Sequence, residues 1–399
     1  MISYERALSL VLEHIPVLGI ENVTLIDAVN RISAENLIGL VDSPSLDASL
    51  KDGYAIRSED ILSASEDQPA MLHVVGSVAA GGEWRGKIRS GEAVRILTGA
   101  PVPQSATAVV AEEFTRLHGD RLQVFRDAHK GRNILPKGSD IQAGQQLVAV
   151  GKKLTAPMVG YLAAAGYQQI PVFSNPRVAI LATGDEVIAP GRPLAPGKLY
   201  ASNLVTLGAW CRGYGYEVET LVVADDEDLI RGKMLECLAE YDALLTSGGA
   251  WSGDRDLVVA ILDQLGWEKF FHRTKMGPGK AVAFGLASGK PVFCLPGGPP
   301  SNHIAFLELA LPGLMKMSGS GETGLPRRRM ILAETIRGEE DWTQFVHGKI
   351  TYGNDLPLFT PVKSPSRLQM MANAEAIVII PEGLIEIKKD QIVLGQVLK

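Results

Sequence analysis

Cysteine is scarce in this chain. Cys211, Cys237 and Cys294 are the only three in 399 residues, and none stands in a CxxC pair. An odd number at such wide spacing excludes a disulfide framework and a structural zinc site, and fits a reducing cytoplasm. The seven histidines are scattered too, so no imidazole-based metal site stands out. A basic surplus is also missing. The formal net charge is −6, whereas a nucleic-acid binder carries a basic surface. Anionic small molecules stay open, held by local lysines and helix ends rather than by global charge. The first residues, Met1-Ile2-Ser3-Tyr4-Glu5-Arg6, hold no basic segment leading into an apolar core, so no signal peptide is expected. The longest uncharged stretch, 154–176, is broken by Pro157, Gly160, Gly166, Gln168, Gln169 and Pro171. A membrane span needs about 20 mostly apolar residues in one helix, so this stretch reads as a helix followed by a strand. No GxGxxG follows a strand and opens a helix, which disfavours a nicotinamide-dependent dehydrogenase.

The residues present describe a soluble globular chain, 46% hydrophobic and 21% charged. At about 150 residues per domain, its length predicts two to four domains. Tyr4, Ala7, Leu8, Val11, Leu12 and Ile15 repeat at helical spacing, with Ser3 as N-cap and Pro16 closing the segment. The region 52–133 is rich in glycine and short alternating runs, with strands expected at 93–96 and 108–110, and reads as a small β domain. A helix is expected over 157–165, with Pro157 in its first turn and Gly166 at its end. From Arg177 onward, strands at 178–181, 218–223, 243–246, 282–284 and 292–295 alternate with helices at 202–211, 226–239 and after Pro299. That alternation implies a doubly wound sheet. Beyond residue 322 the pattern turns strand-like again, ending in 376–380 and 391–394, and predicts a C-terminal β domain.

One stretch concentrates the chemistry. Leu244-Leu245-Thr246 is a short apolar strand, Ser247-Gly248-Gly249 a turn, and Asp254 and Asp256 precede a second apolar run at 257–262. In a parallel α/β sheet such a turn lies at the carboxyl end of a strand, where ligands bind. Glycine lets the backbone approach a ligand, and the first free N–H groups of a helix favour an anion. Asp254 and Asp256 add acceptors of the kind Mg²⁺ uses beside phosphates, although Asp254 equally fits a plain helix N-cap. The same pairing of glycine with a carboxylate or hydroxyl recurs in Asp52-Gly53-Tyr54-Ala55, Thr98-Gly99-Ala100-Pro101, Gly138-Ser139-Asp140-Ile141 and Thr183-Gly184-Asp185-Glu186. Pro278-Gly279-Lys280 and Leu295-Pro296-Gly297 complete the set. A single such loop is usually a turn. Together they read as one composite anion and metal site, with Lys280 as fixed positive charge for a phosphate. By itself Lys280 would be a solvated surface lysine.

In order and spacing these motifs resemble the molybdopterin molybdenumtransferase family, known as MoeA in bacteria and as the E domain of gephyrin in animals. The resemblance covers nearly the whole chain. It implies a multidomain α/β and β fold: a discontinuous linker domain over 1–43 and 136–173, an inserted β domain over 44–135, a central doubly wound molybdopterin-binding α/β domain over 174–317, and a C-terminal β domain over 318–399. It also implies a homodimer whose active site lies between the α/β domain of one subunit and the β domain of the other. There adenylylated molybdopterin would bind with Mg²⁺, molybdate would be inserted at the dithiolene, and AMP would leave. On this resemblance the catalytic residues are Asp52, Thr98, Glu186, Asp256 and Lys280, with Asp52 and Thr98 supplied by the other subunit. Ser247, Gly248, Gly249, Asp140, Pro278, Gly279, Pro296 and Gly297 would bind substrate, and Glu186, Asp226, Asp254 and Asp256 would hold Mg²⁺ or its waters.

The chain departs from the family pattern at several of these positions. Gly277 stands where Lys-Pro-Gly-Lys-Pro has its first lysine, and Gly298 where Leu-Pro-Gly-Asn-Pro has asparagine. Leu135 and His347 replace arginines, Ala201 and Thr107 replace aspartates, and Trp251 replaces a small serine. The carboxylates expected to hold Mg²⁺ stay while anion-binding charge is lost. The alternative is therefore a paralogue that binds a pterin, a nucleotide or a partner with altered or lost catalysis.

Overall fold

The hydroxyl of Ser3 accepts the backbone N–H of Arg6 and starts the helix Tyr4–His14, as the cap and spacing predict. The computed structural model describes residues 1–126, 128–248, 257–353 and 355–398. Tyr4, Ala7, Val11 and Ile15 enter the core of the α/β region rather than that of the segment following them. The chain next forms the strand Ile20–Thr24, which pairs antiparallel with Gln169–Phe173 and closes a unit around Leu37, Val148, Leu162, Ile170 and Val172. Its helix, Ala156–Ala164, is capped by Thr155.

Between these paired strands lies the inserted β region, a six-stranded sheet in the order Ala108–Ala111, Gly53–Ile56, Glu92–Ile96, Ala70–Val78, Arg121–Val124, Thr115–His118. It is buried on both faces near its centre. Tyr54 and Ile56 point into one cluster with Leu72 and Leu122, while Ala55 points into another with Val94, Ile96 and Val109. The expected strands at 93–96 and 108–110 are present, but the strands Ala70–Val78 and Thr115–His118 carry half-exposed side chains and so escape periodicity.

The α/β region is a six-stranded sheet in the order Glu217–Val223, Arg177–Thr183, Ala243–Ser247, Lys290–Leu295, Ala283–Ala287, Glu268–His272. The first four run parallel and the last two join antiparallel. Strand side chains alternate between two cores. Ile180, Leu245 and Phe293 face the helices Tyr4–His14, Ser202–Gly213 and Leu311–Met317. Ala179, Leu181, Leu244 and Val292 face Glu227–Glu240 and Leu257–Gln264. Helices on both faces make it doubly wound. Each large apolar side chain fully buried here contributes roughly 1.5–3 kcal/mol, so runs such as Val292-Phe293-Cys294-Leu295 specify the centre of the sheet.

The helix Pro299–Ala305 continues through a π-helical turn, Phe306–Ala310, into Leu311–Met317. That turn carries the buried Glu308, whose Oε2 accepts the Tyr4 hydroxyl at 2.8 Å and Gln396 Nε2 at 3.1 Å. Burial pushes the Glu308 carboxyl pKa up. The C-terminal strands Thr343–Thr351, Leu358–Pro361, Arg327–Leu332, Ile392–Val397 and Ala376–Ile380 close into a ring, since the last pairs back onto the first. A helix, Arg367–Asn373, capped by Ser366, interrupts this otherwise β region. Met276–Gly277 of the α/β region pairs parallel with the start of Thr343–Thr351, placing Gly277 opposite Gln344. Lys275 and Glu382 form an ion pair at 2.6 Å across the same junction. Among the described residues no helix is long and apolar enough to cross a membrane.

Candidate active site

Strand order places a crevice in the α/β sheet. Arg177–Thr183 has Glu217–Val223 on one side and Ala243–Ser247 on the other, so the chains leaving their carboxyl ends diverge. Ligands of open α/β sheets bind at such a switch point. A cleft of about 680 Å³ opens there. Its floor is Thr183 and Gly184, Gly248, and Pro296 with Gly297 and Gly298, from three neighbouring strand ends. Glycine is required at two of these positions. Gly184 has φ +139°, and a Cβ there would lie 2.9 Å from both carboxylate oxygens of Glu186. Gly248 has φ +100°, and its Cβ would meet the Thr183 carbonyl oxygen at 2.9 Å. The Glu186 carboxylate thus folds back over a bare backbone.

A smaller recess of about 160 Å³ adjoins the cleft, shares Thr183, Glu186, Gly248 and Gly297 with it, and adds Ser247, Asn203 and Ala201. Ser247 Oγ accepts two amide donors, Asn203 Nδ2 and Asn302 Nδ2, each at 3.1 Å. The same two amides donate to the carbonyls of Gly297 and Pro296. Two helices are thereby tied to two strand ends, and the hydroxyl proton of Ser247 is left to donate elsewhere. Pairings of glycine with a carboxylate or hydroxyl do not single out Asn203 or Asn302; their place in the first turn of a helix after a glycine-containing loop is their only signal in the sequence.

Lysine and tryptophan form the facing wall. The loop Gly277-Pro278-Gly279-Lys280 lines the cleft and is pinned at its base, where Thr274 N–H donates to the Lys280 carbonyl at 3.0 Å. The Lys280 ammonium stands 5.3 Å from the centre of the Trp342 ring. Trp342, Glu339 and Gln344 reach the cleft from the C-terminal region, carried there by the pairing of Thr343–Thr351 with Met276–Gly277. Among the described lining residues the charged groups are Glu186, Asp225, Glu339 and one cation, Lys280.

Residues 2–166 match the family described as MoeA N-terminal region (domain I and II), and 179–316 match that described as probable molybdopterin binding domain. Molybdopterin molybdenumtransferase 2 of Mycobacterium tuberculosis is 30% identical over 371 residues, 92% of each chain. The molybdopterin molybdenumtransferase of Haemophilus influenzae is 32% identical over 329 residues, 82% of this chain and 80% of that one. The crystal structure of a molybdopterin biosynthesis MoeA protein from Pyrococcus horikoshii superposes with a TM-score of 0.83 at 31% identity, covering 100% of this chain and 99% of that one. The chain belongs to the MoeA family.

Of the residues expected in the MoeA-type site, the cleft gathers Glu186, Gly248, Pro278, Gly279, Lys280, Pro296 and Gly297, with Ser247 in the adjoining recess. Gly249, Trp251, Asp254 and Asp256 lie outside the described residues; Gly248 and Leu257, on either side of them, both line the cleft. Asp226 does not line it. Its carboxylate caps the helix Glu227–Glu240 by accepting the Leu229 N–H at 2.9 Å, and its neighbour Asp225 faces the cleft instead. Among the described residues no group of three or more His, Cys, Asp or Glu could share one metal ion.

Asp52 and Thr98 meet in the inserted β region, away from the cleft lining of their own chain. One carboxylate oxygen of Asp52 accepts the Thr98 backbone N–H at 2.7 Å and its hydroxyl at 2.8 Å. Those two bonds hold the carboxyl below its ordinary range. Asp140 lies in the segment beside Ser43, its carbonyl accepting the Tyr161 hydroxyl, and does not line the cleft either. Among the departures from the MoeA pattern, Gly277 and Gly298 line the cleft and Ala201 the recess. Leu135 pairs with Ala48 in a short two-stranded ladder, Thr107 accepts the Ser58 N–H at 2.8 Å, and His347 is buried beside His303.

Proposed function

We propose that this chain is a molybdopterin molybdenumtransferase, inserting molybdate into adenylylated molybdopterin with Mg²⁺-dependent release of AMP. The observation that carries this reading is the cleft itself. A floor of backbone without side chains at Gly184, Gly248 and Gly297 suits close approach of a phosphate chain, and Glu186 and Lys280 flank it with opposite charge. The donor set suits Mg²⁺, since Glu186 and Asp225 offer hard carboxylate oxygens and no thiol or imidazole lines the cleft among the described residues. Glu186, Asp225 and, from the segment between Gly248 and Leu257, Asp254 and Asp256 would hold it, and the bound ion would neutralise charge developing on the phosphoanhydride. Lys280 would orient the phosphate or molybdate oxygens, and the Ser247 hydroxyl, fixed by two amides, would donate to the pterin or its phosphate.

The site would be completed by a second copy. Asp52 and Thr98 are preorganised together yet outside the cleft of their own chain, which supports a role across a homodimer. A run of exposed apolar residues, Ile38, Leu40, Val41, Leu46 and Leu50, borders the linker strands and the β region and would be covered in such a dimer. A second reading has one observation in its favour: Gly277 leaves Lys280 as the lone described cation of the cleft, which fits a paralogue that binds without turnover. Incubation with adenylylated molybdopterin, molybdate and Mg²⁺ separates the two. AMP release supports the transferase; tight binding without AMP release supports the paralogue.

A further inference from the structure

Lysine carries its charge on a flexible four-carbon stem, so an exposed ammonium is not a fixed charge unless something holds it. In this cleft the lone described cation, Lys280, forms no ion pair among the described residues, and its ammonium stands 5.3 Å from the centre of the Trp342 ring. Trp342 itself is well anchored. Its backbone N–H donates to the Glu339 carbonyl, the next residue, Thr343, donates to the Lys275 carbonyl at 3.0 Å, and Thr343 and Gln344 are in register with Met276 and Gly277. The backbone that carries the ring is therefore fixed to the same loop that carries Lys280. At Gly277, where a second lysine would stand in the family pattern, a Cβ would already touch the Gln344 side chain at 3.5 Å.

We propose that Trp342, delivered by the C-terminal region, is a positioning residue: its ring holds the Lys280 ammonium in the cleft and so presents a single charge to an anionic group of the substrate, in place of a second lysine. This rests on the cleft being the phosphate-binding site proposed above. The ring acts through Lys280 and not by touching the ligand.

Two measurements test it. In the first, the lysines are ¹³C-dimethylated, which keeps their charge, and the Lys280 resonance is identified by its loss in Lys280→Ala. It is expected upfield through the ring current, to stay there in Trp342→Phe and to move to the solvent-lysine position in Trp342→Leu. An unshifted Lys280 resonance in the parent overturns the proposal whether or not any ligand binds. In the second, AMP with Mg²⁺ is titrated calorimetrically into the parent, Trp342→Leu, Trp342→Phe, Lys280→Ala and the Trp342→Leu/Lys280→Ala double variant. Trp342→Leu is expected to weaken binding about two- to fivefold, Trp342→Phe less than about twofold, and Trp342→Leu not at all once Lys280 is gone. Equal weakening by Trp342→Leu in both backgrounds overturns the positioning role. If Lys280→Ala binds AMP as well as the parent does, the assignment of the cleft fails instead, and the resonance alone decides the ring's role.

Discussion

Asp52 and Thr98 show how much of a site can be built by two neighbouring side chains. The carboxylate accepts both donors of one threonine, the backbone N–H first and the hydroxyl second, and both favour its charged form. Thr98→Val keeps the first and removes the second. The Asp52 pKa is expected to rise toward its ordinary value, read by ¹³C NMR titration of the carboxyl carbon; an unchanged pKa would contradict the assigned contact. His303 and His347 behave in the opposite sense. Burial pushes both down to about 4, and their rings stack 6.1 Å apart with His303 Nε2 accepting the Trp210 indole N–H. Because the unfolded chain takes up these protons near pH 6.5 and the folded chain does not, their contribution is complete above that pH. It is lost as pH falls toward 4, up to about 3 kcal/mol for each ring. Thermal unfolding followed from pH 7.5 to 4.5 should therefore show a steeper loss of stability in the parent than in His347→Phe. Parallel curves would contradict it.

At the scale of elements, the strand ends decide what the cleft admits. Gly248→Ala puts a methyl 2.9 Å from the Thr183 carbonyl oxygen at a φ of +100°, and should cost about 1–3 kcal/mol. Gly232 lies inside the helix Glu227–Glu240, where an added methyl would meet nothing within 4 Å, and should instead gain about 0.5–1 kcal/mol on the same change. Denaturant unfolding of the two variants checks both signs, and a shared sign would refute the backbone argument. Gly184 and Gly248 are legible in the sequence, as are the central strands, because strands buried on both faces read as unbroken apolar runs such as Leu244-Leu245-Thr246. Other features are not. The strand Ala70–Val78 mixes exposed and buried positions without clean alternation. Asp225 and Asp226 are adjacent carboxylates, and only the start of the helix shows that one caps it while the other faces the cleft. Trp342 and Glu339 lie some sixty residues from Lys280 and reach it through a strand pairing between regions, which no local pattern announces.

At the scale of the whole molecule, the proposed site belongs to two chains. Mixing Asp52→Ala and Lys280→Ala homodimers under exchange conditions yields heterodimers in which one of the two sites has every residue intact. Activity absent from either parent variant should then recover to about a quarter of the original, half of the dimers carrying half of the sites. No recovery would place Asp52 and Lys280 in the same chain's site, and full activity in either homodimer would place that residue outside the site.

AMP release reports the proposed transfer itself. Purified protein is incubated with adenylylated molybdopterin and molybdate, with and without Mg²⁺, and free AMP is quantified for the parent, Glu186→Gln and Lys280→Ala. The parent is expected to release AMP only with Mg²⁺, each variant to release at least about tenfold less, and the melting temperatures to stay unchanged. Equal AMP release by parent and variants would contradict it.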